Sequence, residues 1–147
     1  MIEKASSHSI QLFNSGYKCA ESVLISVAQA YHIDSPIIPQ IATGFCSGTA
    51  RTGNICGAVA GAIIAIGLLR GRSSDQQEVE PTYKLVQQFI ESFEAQFGST
   101  TCLGLTGVHL GTEEGQAAFE EAGMMEKCTQ YVGQATRLVM QLVGDDG

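Results

Sequence analysis

The chain has 147 residues, of which 44% are hydrophobic and 16% charged, with a formal net charge of −7. That length and composition suit one folded domain with its own core and exclude a disordered chain. The acidic balance argues against nucleic acid and anionic membrane surfaces as partners, because both select for basic patches.

The N-terminal stretch MIEKASSHSIQLF carries no basic segment followed by an apolar core and a small-residue cleavage site. A cytoplasmic location is therefore expected, where thiols are kept reduced and a structural disulfide is disfavoured. Ile2, Ala5, Leu12 and Phe13 suggest a first helix that breaks at Asn14-Ser15-Gly16. A second helix is expected from about Lys18 to Tyr31, with Cys19, Val23, Leu24, Val27 and Tyr31 on one face. The prolines of HIDSPIIPQIA leave room for a short helix only, and GFCSGTARTGN reads as an irregular glycine loop.

The longest apolar run, Ile55 to Leu69, falls short of the roughly 20 residues that cross a bilayer, so no membrane span is expected. It reads as a core helix whose Gly57 and Gly61 allow close helix contact. After the polar connector GRSSDQQEVE, Pro81 suits the first turn of a helix carrying Leu85, Val86, Phe89, Ile90, Phe93 and Phe97 and ending at Gly98. STTCLGLTGVHLG reads as a structured loop. A short helix is expected over Glu114 to Ala122 and a last one from about Glu126 to Val143. The expectation is an all-α fold, one domain over residues 1–147 with five to six helices.

The five cysteines are Cys19, Cys46, Cys56, Cys102 and Cys128. None forms a CxxC pair or matches zinc-finger spacing, and no CxxCH haem attachment motif is present. Their settings are alike. GYKC and GNIC place a glycine three residues ahead of Cys19 and Cys56, Cys102 follows the turn signature GST, and Cys128 is expected in the first turn of the last helix. A thiol there faces unpaired N–H groups and the positive end of the helix dipole, which favour thiolate. Helix starts converging on one point would unite these distant residues. A buried cysteine that merely packs is the plainer alternative.

With CGAVAG at Cys56–Gly61, GYKCAESVL before it, and FGSTTC and EKC after it, the chain resembles the C-GCAxxG-C-C family of redox-active bacterial and archaeal proteins, named for four spaced cysteines and a CGAxxG element. The likeness runs from about Asn14 to Val143. It implies Cys19, Cys56, Cys102 and Cys128 as the functional set, whether as redox thiols or as ligands of a metal. The chain is also similar to part of the split-Soret cytochromes, which implies an iron–sulfur cluster or another thiolate-bound metal. Two departures stand out: Cys46, where glycine is expected, adds a candidate fifth ligand or resolving thiol, and Leu103-Gly104 replaces a charged pair.

Three mechanisms follow. The first is a cysteine-ligated redox centre in an electron-transfer protein, whose acidic surface suits docking to a redox partner protein. The second is metal-free thiol–disulfide exchange, with Cys46 and Cys56 flanking the glycine loop as a natural pair. The third is a structural zinc site or buried thiols in an interaction domain. Self-association into a homo-oligomer is open under all three. Of His8, His32 and His109, only His109, near Cys102, is a candidate ligand. Arg51 could hold an anion against glycine N–H groups or tie its loop to carbonyls.

Overall fold

The structure, a computed structural model, describes residues 1–144. Eight helices follow in chain order: α1 (Ile2–Asn14), α2 (Cys19–Ala30), α3 (Cys46–Arg51), α4 (Gly57–Arg70), α5 (Glu80–Phe97), α6 (Cys102–Thr106), α7 (Glu113–Glu121) and α8 (Met124–Val143). A 3₁₀ turn, Gln40–Phe45, precedes α3. Among the described residues no strand forms, and a single antiparallel bridge pairs Ile55 with Thr101.

The fold is all-α as expected, but eight helices replace the expected five to six. The additional ones are α3 and α6, both in segments read as loops. The short α6 is set by a local cap: the Thr101 side chain accepts a 2.9 Å hydrogen bond from the Gly104 amide. Helix α3 is of the opposite hand. Ser47, Gly48, Thr49 and Ala50 have φ between 54° and 69°, and Arg51 follows at 68°. Each non-glycine residue in that conformation costs about 1–2 kcal/mol. The turn is secured where the Gly48 carbonyl accepts from the Asn54 amide at 3.0 Å and from the Thr52 hydroxyl at 3.1 Å.

The core is built around α2, in which Ala20 and every residue from Ser22 to Ala28 are buried. It packs on α4, α1 and α8. Helix α4 carries a small-residue run, Gly57 to Ala62, buried throughout. A Cβ on Gly61 would stand 2.6 Å from the Ala20 carbonyl oxygen and 2.9 Å from its Cα, so the two backbones nearly touch. Helices α1 and α8 meet similarly at Gly133, whose carbonyl accepts from the buried Ser6 hydroxyl at 2.9 Å.

Helix α5 lies outside this layer and inserts Phe89 and Phe93, both fully buried. The aromatic series continues through Phe97 to Tyr131 of α8, with ring centroids 4.8 and 4.9 Å apart along Phe93–Phe97–Tyr131. It braces the end of α8 that carries Cys128. At the opposite end, Arg70 of α4 donates to the Val143 carbonyl of α8 at 2.9 Å. No helix among the described residues is long and apolar enough to cross a membrane, and the Ile55–Leu69 run is the core helix its composition indicates.

Candidate functional site

Three helix starts meet at one end of the bundle. Cys19 is the first residue of α2, Cys56 caps α4 and Cys102 is the first residue of α6. Each start has a sequence-encoded anchor. The Lys18 amide donates to Glu21 Oε1 at 3.0 Å, and Glu21 Oε2 accepts from the Thr43 hydroxyl at 2.7 Å, which ties α2 to the 3₁₀ turn. Around the Ile55–Thr101 bridge, the Cys56 amide donates to the Thr100 carbonyl at 2.8 Å and the Cys102 amide to the Asn54 carbonyl at 2.7 Å. That short ladder brings Cys56 and Cys102 together across 46 residues of sequence.

Cys128 reaches the same place differently. Helix α8 begins at Met124, two residues ahead of the expected start, so Cys128 lies a turn inside the helix rather than in its first turn.

Cys19, Cys56, Cys102 and Cys128 line one cavity of about 410 Å³. Its wall includes Tyr131, Leu105, Thr106 and Met125, and its charged residues are Lys18, Arg51 and Glu120. Tyr131 donates to the Leu105 carbonyl at 3.3 Å, and Thr106 to the Cys102 carbonyl at 2.7 Å. Glycines make the convergence feasible. A Cβ on Gly57 would come within 2.8 Å of Cys19 Cβ, and one on Gly48 would overlap Cys102 Cβ. The left-handed turn therefore supplies a residue without a side chain directly against Cys102.

All five cysteines are free thiols, and all are held above the ordinary thiol range. Burial is the largest cause in each case. Cys56 is pushed up to about 11 although the amides of Val59 and Ala58 pull the other way. Cys128 is pushed up to about 12, with negative charge on Cys56 or Cys102 as a further cause. Cys19 is shifted strongly upward by burial and then by Cys56, Cys128, Cys46 and Cys102, so the five thiols form one electrostatic neighbourhood. At Cys56 the expected stabilisation of thiolate at a helix start is present in the amide contacts, but desolvation outweighs it.

This has a consequence for stability. A folded-state pKa above the unfolded one stabilises the fold below the unfolded value, and that stability is lost as pH rises through the folded value. From the ordinary 9.0 to about 11, Cys56 alone carries on the order of 3 kcal/mol. The metal-free chain is therefore expected to be stable at pH 8 and to lose stability progressively from pH 9 towards 11–12. Urea midpoints measured at pH 8 and 10.5 check this, and a flat profile would contradict the buried-thiol assignment.

The other candidates separate. Cys46 is buried but does not line the cavity; its thiol lies 3.6 Å from the Ala42 carbonyl, near the Ala20 and Glu21 amides. His109 is exposed, accepts from the Gly111 amide at 3.0 Å through Nδ1, and is not part of the cavity wall. Arg51 does line the cavity. Lys18 and Tyr131 are site residues that sequence reasoning missed. Tyr131, three residues after Cys128 on a helix, was legible only as an inward-facing aromatic.

Among the described residues, no three His, Cys, Asp or Glu side chains stand close enough to share one metal ion. The four cysteines share one cavity, but no three of them meet at a point.

A protein of Archaeoglobus fulgidus, described as uncharacterized, is 27% identical over 152 residues, an alignment spanning 97% of this chain and 95% of that protein. No solved structure matches. The family model described as "Putative redox-active protein (C_GCAxxG_C_C)" matches residues 17–142, a span that holds all four cavity cysteines. The chain belongs to the C_GCAxxG_C_C family.

Proposed function

We propose that Cys19, Cys56, Cys102 and Cys128 ligate an iron–sulfur cluster, and that the protein is a one-electron carrier. The observation that carries this reading is the shared cavity: four cysteines from four separate segments line one space of about 410 Å³. A mononuclear zinc site needs its donors within reach of a single atom, and no three side chains meet that condition. A polynuclear cluster has volume of its own and spaces its thiolates around it. When bound, the cluster supplies reversible acceptance of one electron from a donor protein and its release to an acceptor.

The chain's own residues would do the rest. The four thiols lose their protons on ligation, so loading releases protons and strengthens as pH rises. Lys18 and Arg51, against the one carboxylate of Glu120, bias the wall towards the negative charge that thiolates bring. Leu105, Met125 and the ring of Tyr131, braced edge-on by Phe97, supply apolar parts of the wall. Metal-free thiol exchange fits less well, because an attacking cysteine needs a lowered pKa and each of these is raised.

Anaerobic reconstitution with ferrous iron and sulfide tests the proposal. Visible sulfur-to-iron absorption, with iron and sulfide bound in matched amounts, is the expected result. A chain that stays colourless and instead forms a disulfide between two cavity cysteines on mild oxidation would overturn it.

A further inference from the structure

A second cleft, of about 750 Å³, lies between α1 and α2 and shares no wall residue with the thiol cavity. Its buried floor includes Ala5 and Ser26, and its sides carry Lys4, Ser7, His8, Gln11, Gln29 and His32. Two observations set it apart from an ordinary surface groove. The first is Ser26: its residue is 1% exposed, and its hydroxyl has no hydrogen-bond partner. A serine inside a helix ordinarily donates to the carbonyl four residues back, as Thr136 does to Val132 at 3.0 Å in α8. An orphaned buried hydroxyl costs about 1–3 kcal/mol. The second is charge. In a chain of net charge −7, the wall holds a lysine and two histidines and no carboxylate.

The surroundings do not cancel that bias. Glu3, the carboxylate beside Lys4 in sequence, is held by Arg137 at 2.8 Å and is not part of the wall. The carbonyls at the end of α2 would repel an anion, but those of Val27, Ala28 and Gln29 accept from the amides of Tyr31, His32 and Ile33. His32 itself sits at φ 58°, a strained conformation for a residue with a side chain, immediately beyond the α2 cap. Cleft volumes of about 300–1,000 Å³ suit small organic ligands.

We propose that this cleft binds a small organic anion. Its carboxylate or phosphate head is held by Lys4, His8 and His32, and a polar atom of the ligand gives the Ser26 hydroxyl its missing partner. The site is independent of the thiol cavity and of whatever the cysteines hold.

The test is an NMR titration of the full chain with succinate in one arm and glycerol 3-phosphate in the other, sodium chloride controlling for ionic strength. Saturable shifts confined to α1 and α2 in either arm are expected, and the stronger arm identifies the head group. Lys4→Gln combined with His8→Gln should weaken that binding roughly tenfold or more. Ser26→Ala should weaken it too while raising the melting temperature of the free chain, since an orphan hydroxyl is removed. That stabilisation also shows that the variant is folded. Shifts absent from both arms, or unchanged by these substitutions, would overturn the proposal.

Discussion

Replacing Gly61 by valine is expected to lower stability by about 3 kcal/mol, the upper end of the overpacking range. The contact behind this figure is backbone against backbone. A Cβ at Gly61 meets the Ala20 carbonyl oxygen at 2.6 Å and its Cα at 2.9 Å, and neither atom can rotate aside. Alanine in place of glycine inside a helix ordinarily gains about 1 kcal/mol. Here the clash outweighs that gain, and Gly61→Ala is expected to be destabilising too, by about 1–2 kcal/mol. Gly67, on the same helix, has nothing within 4 Å of its Cβ position. Gly67→Ala should therefore stabilise, by up to about 1 kcal/mol. Opposite signs at two glycines of one helix, read from urea midpoints, separate contact from propensity. Because Ala20 adjoins Cys19, the Gly61 variants should also expose Cys19 and Cys56 to faster thiol labelling.

The second large effect is expected at the site itself. Cys56→Ser should abolish cluster loading while keeping the fold. Serine is nearly isosteric with cysteine and is among the favoured residues at a helix N-cap, the place Cys56 occupies in α4. What is lost is the thiolate. Losing a supporting residue around a metal costs 10–100-fold in affinity, and loss of a direct ligand is expected to exceed roughly the top of that range. Cys46→Ser serves as the comparison, because Cys46 stands outside the cavity wall and its replacement should leave loading intact. Iron and sulfide content of the two variants after reconstitution, with circular dichroism to confirm folding, distinguishes these outcomes. Equal loss in both would place Cys46 among the ligands.

The long helices were legible because each buries a stripe with helical spacing. Phe89 and Phe93 mark α5, and Cys128, Tyr131, Val132, Ala135 and Val139 mark α8. Gly98, at φ 88°, ends α5 where the sequence places its stop. The segments read as loops were not legible in the same way. Helix α6 has five residues and no buried one, so it leaves no periodic signal. The left-handed turn from Ser47 to Arg51 contains a single glycine, and nothing in Ser-Gly-Thr-Ala-Arg advertises four non-glycine residues at positive φ. That turn is determined by its surroundings, where Gly48 must pass against Cys102.

For the site, the turn-then-helix settings of Cys19, Cys56 and Cys102 carried enough information to suggest convergence. Their protonation did not follow from those settings. A helix start read in isolation favours thiolate, and the burial that reverses the balance exists only once four segments have closed around the cavity. Lys18 was hidden for the same reason: a charge is assigned to a wall only when the wall is known, whereas Arg51 stood out because it lies in the glycine loop.

An iron–sulfur cluster on Cys19, Cys56, Cys102 and Cys128 is the proposed occupant of this cavity. Iron, zinc and acid-labile sulfide analysis with a visible spectrum, on protein purified without oxygen and without added metal, tests it most directly. A brown protein containing iron and sulfide, in which Cys56→Ser removes both, is the predicted result. Colourless protein with neither iron nor sulfide, or with stoichiometric zinc in their place, would contradict it.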